Sequence, residues 1–75
     1  FLVGFAAETD NVIENAKSKL KKKQLDLIVA NKVSSDFPFN ADENEAILIR
    51  KNLETINLGR DQKINLARKI MQVIN

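Results

Sequence analysis

Seventy-five residues with twelve Lys and Arg against ten Asp and Glu carry a net charge of +2, too small an imbalance for a chain that grips nucleic acid through its overall field. Cysteine and histidine are both absent, which excludes disulfides, thiolate metal sites and Ser-His-Asp or Cys-His catalysis, and fits a reducing, cytoplasmic setting. A domain this short buries only about 60% of its unfolded surface, so the core is small and the residue set favours binding over proton shuttling.

The chain opens on Phe1-Leu2-Val3-Gly4-Phe5-Ala6-Ala7-Glu8, an apolar run that predicts a strand covered on both faces, as in a parallel sheet. With no basic stretch ahead of it, the run is not a secretory signal, and a chain that begins inside such a run is expected to come from a longer polypeptide. Thr9 or Asp10 is the expected N-cap of a helix from Asn11 to about Lys22, with apolar residues at Val12, Ile13, Ala16 and Leu20 and lysines in its last turn. Leu25-Asp26-Leu27-Ile28-Val29-Ala30-Asn31 predicts a second strand, parallel to the first through a right-handed crossover.

From Ser34 to Asn44 the composition turns polar around Phe37-Pro38-Phe39 and predicts a loop. Its acidic residues do not follow the alternation of a calcium-binding loop, and Asn40 and Asp42 suit turns better. Glu45 to Arg50 and Leu53 to Leu58 flank Lys51-Asn52, the pattern of a β-hairpin whose second arm has one exposed side and stops at Gly59. Asp61 is the expected N-cap of a closing helix with a stripe of Ile64, Ala67, Ile70, Met71 and Ile74, widened by Leu66 and Val73. The class is α/β in one unit, residues 1–75, and no apolar run reaches the roughly 18 residues of a membrane helix.

Lysines at 17, 19, 21, 22 and 23 are the main chemical signal. At about 100° per residue, Lys19 and Lys23 fall within about 20° of Val12 and so border the buried stripe, where two ammonium groups could meet one phosphate chain. Read plainly, the same lysines are a solvated helix end that answers the helix dipole. Phe5, beside small residues near the carboxyl end of the first strand, is either a ring for a base to pack on or simply core. Glu8 and Thr9 read as caps or turn residues.

Val3-Gly4-Phe5-Ala6-Ala7-Glu8-Thr9, Lys19 and Lys23, Leu25 to Asn31, Phe39-Asn40 with Asp42 and Asn44, and a closing Lys63, Ala67, Ile70 and Ile74 resemble the C-terminal part of bacterial phosphopantothenoylcysteine synthetase, often fused to a flavin-dependent decarboxylase. The resemblance implies an incomplete C-terminal segment of a Rossmann-like domain in a CTP-dependent ligase. Such an enzyme joins 4′-phosphopantothenate to cysteine through an acyl-cytidylate, with magnesium expected. It further implies that Phe5, Lys19 and Lys23 contact CTP and together line one hollow, and that the full-length parent is a homodimer joined near the hairpin. FMN would belong only to a fused decarboxylase, absent here. The family's upstream nucleotide segment, lysine-rich loop and catalytic asparagine have no counterpart, so these 75 residues alone are expected to be inactive. The competing expectation is a polyanion- or RNA-binding module built on the lysine-rich helix end, which the missing Tyr and Trp speak against.

Overall fold

The computed structural model describes residues 1–32 and 43–74. The loop expected from Ser34 to Asn44 lies outside them, apart from Glu43 and Asn44, which open a strand instead. The elements are β1 (Val3–Glu8), α1 (Val12–Lys22), β2 (Leu27–Lys32), β3 (Glu43–Arg50), β4 (Thr55–Gln62) and α2 (Lys63–Ile74). One sheet takes the order β1-β2-β3-β4; β1 and β2 are parallel, and the remaining pairs are antiparallel. Strand, helix, parallel strand, hairpin and closing helix is the α/β architecture that the apolar patterning called for.

The helices cover opposite faces of the sheet. Ala16 and Leu20 of α1 pack on Ala6, Ile28, Ala30, Ile47 and Ile49, while Leu27, Val29 and Leu48 face Ile56, Leu58 and the α2 residues Ile70, Val73 and Ile74. β2 is therefore buried on both sides, with Leu27, Ile28, Val29 and Ala30 all at 1% exposure or less. β1 departs from the expectation of two covered faces. Its Ala6 and Glu8 lie buried under α1, but Phe5 is 69% exposed and Ala7 is open as well, because α2 lies over β3 and β4 and not over β1.

α1 ends where the lysine-rich turn predicted. The Leu25 N–H donates to Leu20 O and the Gln24 N–H to Lys21 O, at 3.0 and 3.2 Å, with Gln24 left-handed at φ 53; this is a Schellman closure with glutamine where glycine is usual. At the other end the N-cap is Asn11, at φ 48 and without a side-chain capping bond, rather than Thr9 or Asp10. The chain reaches the helix through a tight left-handed step that places both of those residues ahead of it.

The hairpin connection is one residue longer than expected. Arg50 O accepts the Leu53 N–H at 2.7 Å and the Arg50 N–H donates to Glu54 O at 2.9 Å, which makes Lys51-Asn52-Leu53 a three-residue loop with Leu53 left-handed at φ 71. Gly59 does not end the strand: at φ 72 it follows a bulge at which pairing steps from Ala46↔Gly59 to Ile47↔Asn57, leaving Leu58 as the extra residue, and β4 continues to Gln62. Glycine here accommodates the positive φ instead of breaking the strand.

α2 turns a different side inward than its apolar pattern suggests. Leu66 is buried at 4%, whereas Ile64 and Met71 are 60% and 55% exposed; Ile70, Val73 and Ile74 complete the inner face. Asp61 lies in β4 and is not the N-cap, but its carboxylate still serves the start of α2. Oδ1 accepts the Gln62 N–H at 2.7 Å and Asn65 Nδ2 at 3.1 Å, and Oδ2 accepts Lys69 Nζ at 3.1 Å. The Asn65 side-chain bond, then the Gln62 and Lys69 bonds, hold the Asp61 carboxyl below the ordinary aspartate range.

Asp26 gathers the amino end of the sheet. Its Oδ2 accepts the Leu2 N–H at 2.8 Å, its own N–H donates to Leu2 O at 2.9 Å, and its O accepts the Lys51 N–H at 3.0 Å.

Candidate functional site at the carboxyl end of the first strand

Parallel strands bind ligands beyond their carboxyl ends, where the following helix begins. Here β1 ends at Glu8 and α1 starts at Val12. Between them opens a cleft of about 490 Å³ lined by Thr9, Asp10, Asn11, Ile13, Glu14 and Lys32. The first-turn amides of α1 and the Lys32 ammonium face an anion favourably, and the Asp10 and Glu14 carboxylates on the same rim oppose it.

Lys19 does not line that cleft, but it reaches the same end of the strand through Glu8. It sits about two turns into α1, and helical side chains lean toward the N-terminus, which carries its ammonium back over β1. Lys19 Nζ meets Glu8 Oε1 at 2.6 Å, with the lysine side chain 45% exposed and that of Glu8 10%. Asn15 Nδ2 holds Glu8 Oε2 at 3.3 Å and Asp10 O at 3.1 Å. An ammonium has three N–H donors; Glu8 takes one, and no other acceptor among the described residues claims the rest. The arrangement can therefore present two oriented donors to an incoming anion while its own charge stays partly balanced.

The other two expected contacts lie elsewhere. Phe5 shares the side of β1 that carries Val3, because strand residues alternate, so its ring is on the face opposite α1 and Lys19. Lys23 is the C-cap of α1, with its N–H bonded to Lys19 O, and its exposed side chain has no partner among the described residues. Within the described residues, the ring and the two ammonium groups do not line one hollow.

Glu8, expected as a cap or turn residue, is instead the last residue of β1 and lies buried, and Asn15 had no role in the expected site. For Glu8 the signal was available: its parity with Ala6 puts it in the buried row of β1, and a carboxylate there requires a partner. Asn15 carries no such signal, since its role depends on where α1 docks. Among the described residues, no group of three or more His, Cys, Asp or Glu could hold a metal ion; the expected magnesium has no protein cage in them. No helix among them is long and apolar enough to cross a membrane.

The family profile described as DNA/pantothenate metabolism flavoprotein C-terminal domain matches residues 1–75. The coenzyme A biosynthesis bifunctional protein CoaBC of Haemophilus influenzae is 49% identical over 74 residues, which cover 99% of this chain and 18% of that protein. A cysteine/cysteine sulfinic acid decarboxylase from an unknown prokaryotic organism is 38% identical over 79 residues, 99% of this chain and 22% of that protein. The crystal structure of the C-terminal domain of a CoaBC protein aligns with a TM-score of 0.76 at 39% identity, covering 96% of this chain and 32% of that one. The chain thus spans about a fifth of the length of these two relatives.

Proposed function

Because the chain belongs to the family of DNA/pantothenate metabolism flavoprotein C-terminal domains along its whole length, we propose that it supplies part of the nucleotide site of a CTP-dependent ligase of coenzyme A biosynthesis. The parent enzyme would join 4′-phosphopantothenate to cysteine through an acyl-cytidylate, in the cytoplasm and as a homodimer, with the hairpin at Lys51-Asn52 near the partner. The observation that carries this reading is the Lys19 ammonium, brought to the carboxyl end of β1 beside the start of α1 with two donors to spare.

In that site Lys19 would bind phosphate oxygens and offset charge that builds on the leaving pyrophosphate, an effect that is strongest when the cation is already oriented. Phe5 would pack against the base from the other face of β1, so the nucleotide lies across the end of the strand instead of in a pocket on one side of it. Lys23, one helical turn beyond Lys19, would serve the outer phosphates. Magnesium would supply Lewis-acid neutralisation of the triphosphate; the described residues do not cage it, and the role of this segment is to bind and orient. FMN and decarboxylation would belong to other parts of the parent.

The test is nucleotide binding by the full-length parent, with CTP, ATP and single-stranded RNA compared by calorimetry for the unaltered protein, Lys19→Ala and Lys23→Ala. Loss of a charge-assisted bond of about 1.5–3 kcal/mol should weaken CTP binding by roughly tenfold to a hundredfold in Lys19→Ala, without matching loss of cysteine decarboxylation where the parent performs it. CTP affinity indifferent to both substitutions ends the assignment. RNA binding that falls steeply with salt would favour the polyanion reading instead.

A further inference from the structure

Glu8 is the one buried polar or charged side chain among the described residues, at 8% exposure, and nothing assigned so far to nucleotide contact explains why a carboxylate is kept there. Burying a carboxylate is costly unless it is paired and hydrogen-bonded, and here both oxygens are engaged: Oε1 by Lys19 Nζ at 2.6 Å and Oε2 by Asn15 Nδ2 at 3.3 Å. Asn15 is itself tied to the turn before α1 through Asp10 O. The three side chains thus form a brace across the first strand, the turn and the helix. A lysine on a helix surface samples many rotamers; this one is anchored at its tip.

We propose that Glu8 is a positioning residue for nucleotide binding, which fixes the Lys19 ammonium over the carboxyl end of β1 and, through Asn15, holds the α1 entrance in register with it. The proposal deepens the CTP-site reading and rests on Lys19 serving the nucleotide. With Oε1 taking one N–H of Lys19, the remaining two N–H bonds of the tetrahedral ammonium have restricted directions, so an arriving phosphate meets donors whose ordering cost has already been met. Glu8 itself touches no phosphate; its charge would repel one, and its depth under α1 keeps it behind the lysine.

The experiment compares the full-length parent with Glu8→Ala, Glu8→Gln, Lys19→Ala and the Glu8→Ala/Lys19→Ala double variant, measuring KM for CTP, KM for cysteine, kcat and the melting temperature. Glu8→Gln retains an amide oxygen that can accept from Lys19. The expected result is a rise in the CTP KM of about tenfold in Glu8→Ala, substantial recovery in Glu8→Gln, no change in the cysteine KM, and a double variant no worse than Lys19→Ala alone, since the two act as one unit. If Lys19→Ala raises the CTP KM while Glu8→Ala lowers only the melting temperature, Glu8 is a structural tie and the proposal is overturned. Additive effects in the double variant would overturn it too. If Lys19→Ala leaves the CTP KM unchanged, the nucleotide-site reading fails instead, an outcome recognisable without any Glu8 variant. Should Glu8→Ala fail to fold, Glu8→Gln and Asn15→Ala decide: a CTP KM unchanged in both sinks the idea, and a selective rise in Asn15→Ala supports it.

Discussion

Leu25 fills the space that a side chain at Gly4 would need, for a Cβ on Gly4 would lie 2.5 Å from Leu25 Cδ1. Leu25 packs against the cluster containing Leu20, so making room at Gly4 costs part of that contact. Gly4→Ala should therefore destabilise the domain by about 1–3 kcal/mol through overpacking. Adding Leu25→Ala should recover part of the overpacking strain, leaving the double variant more stable than the sum of the two single losses predicts. Denaturant titration of all three variants reads this, and simple additivity would mean that the two positions do not compete.

Gln24 occupies a left-handed position at φ 53 with an exposed side chain, a conformation that costs a non-glycine residue about 1 kcal/mol. Gln24→Gly should raise stability by about 0.5–1 kcal/mol even though it loosens the unfolded chain. A melting temperature that falls would show that the glutamine side chain contributes more than its backbone strain removes.

Asp61 sets a definite pH response. Its folded-state pKa lies below the ordinary value of 3.8, so the unfolded state binds the proton more tightly. The stabilisation is then fully present above the unfolded pKa and is lost as pH falls through the folded value. Asp61→Asn should flatten the acid limb of the stability profile below about pH 4 and leave its slope near neutrality unchanged. An acid limb of unaltered steepness in that variant would place the response on other carboxylates.

Phe5 offers a clean separation of binding from folding. At 69% exposure its removal should change stability by no more than about 0.5 kcal/mol, so Phe5→Ala in the parent should weaken CTP binding with the melting temperature held. A large drop in melting temperature would instead mean that the ring is covered by other parts of the parent.

The parts of the fold legible in the sequence are those where local pattern and burial agree. β2 reads as an unbroken apolar run because both of its faces are covered, and the lysine-rich last turn marks the end of α1. α2 is the opposite case. Its apolar residues fall on two adjacent sides, Leu66-Ile70-Val73 and Ile64-Ala67-Met71, and periodicity cannot choose between them; the direction in which β4 delivers the chain does. Gly59 misled because glycine serves both as strand breaker and as bulge former, and only the pairing with Ala46 distinguishes the two. At the site, the alternation of β1 already separates Phe5 from Glu8, but the continuous apolar run hid it. The Lys19 to Glu8 bond joins residues eleven apart through the docking of a helix, which no local pattern encodes.

The bonds of Asp26 to Leu2 and Lys51 make the two ends of the sheet mechanically unequal. Where one residue fastens the entering strand and the hairpin loop together, adjustment to a guest should fall to the far rim. The domain should behave as a hinge-less clasp, pinned at its base and yielding at its lip. Amides of Asp26 and Lys51 would then exchange with heavy water far more slowly than those of Thr9 to Asn11, and equal rates at both ends would contradict it.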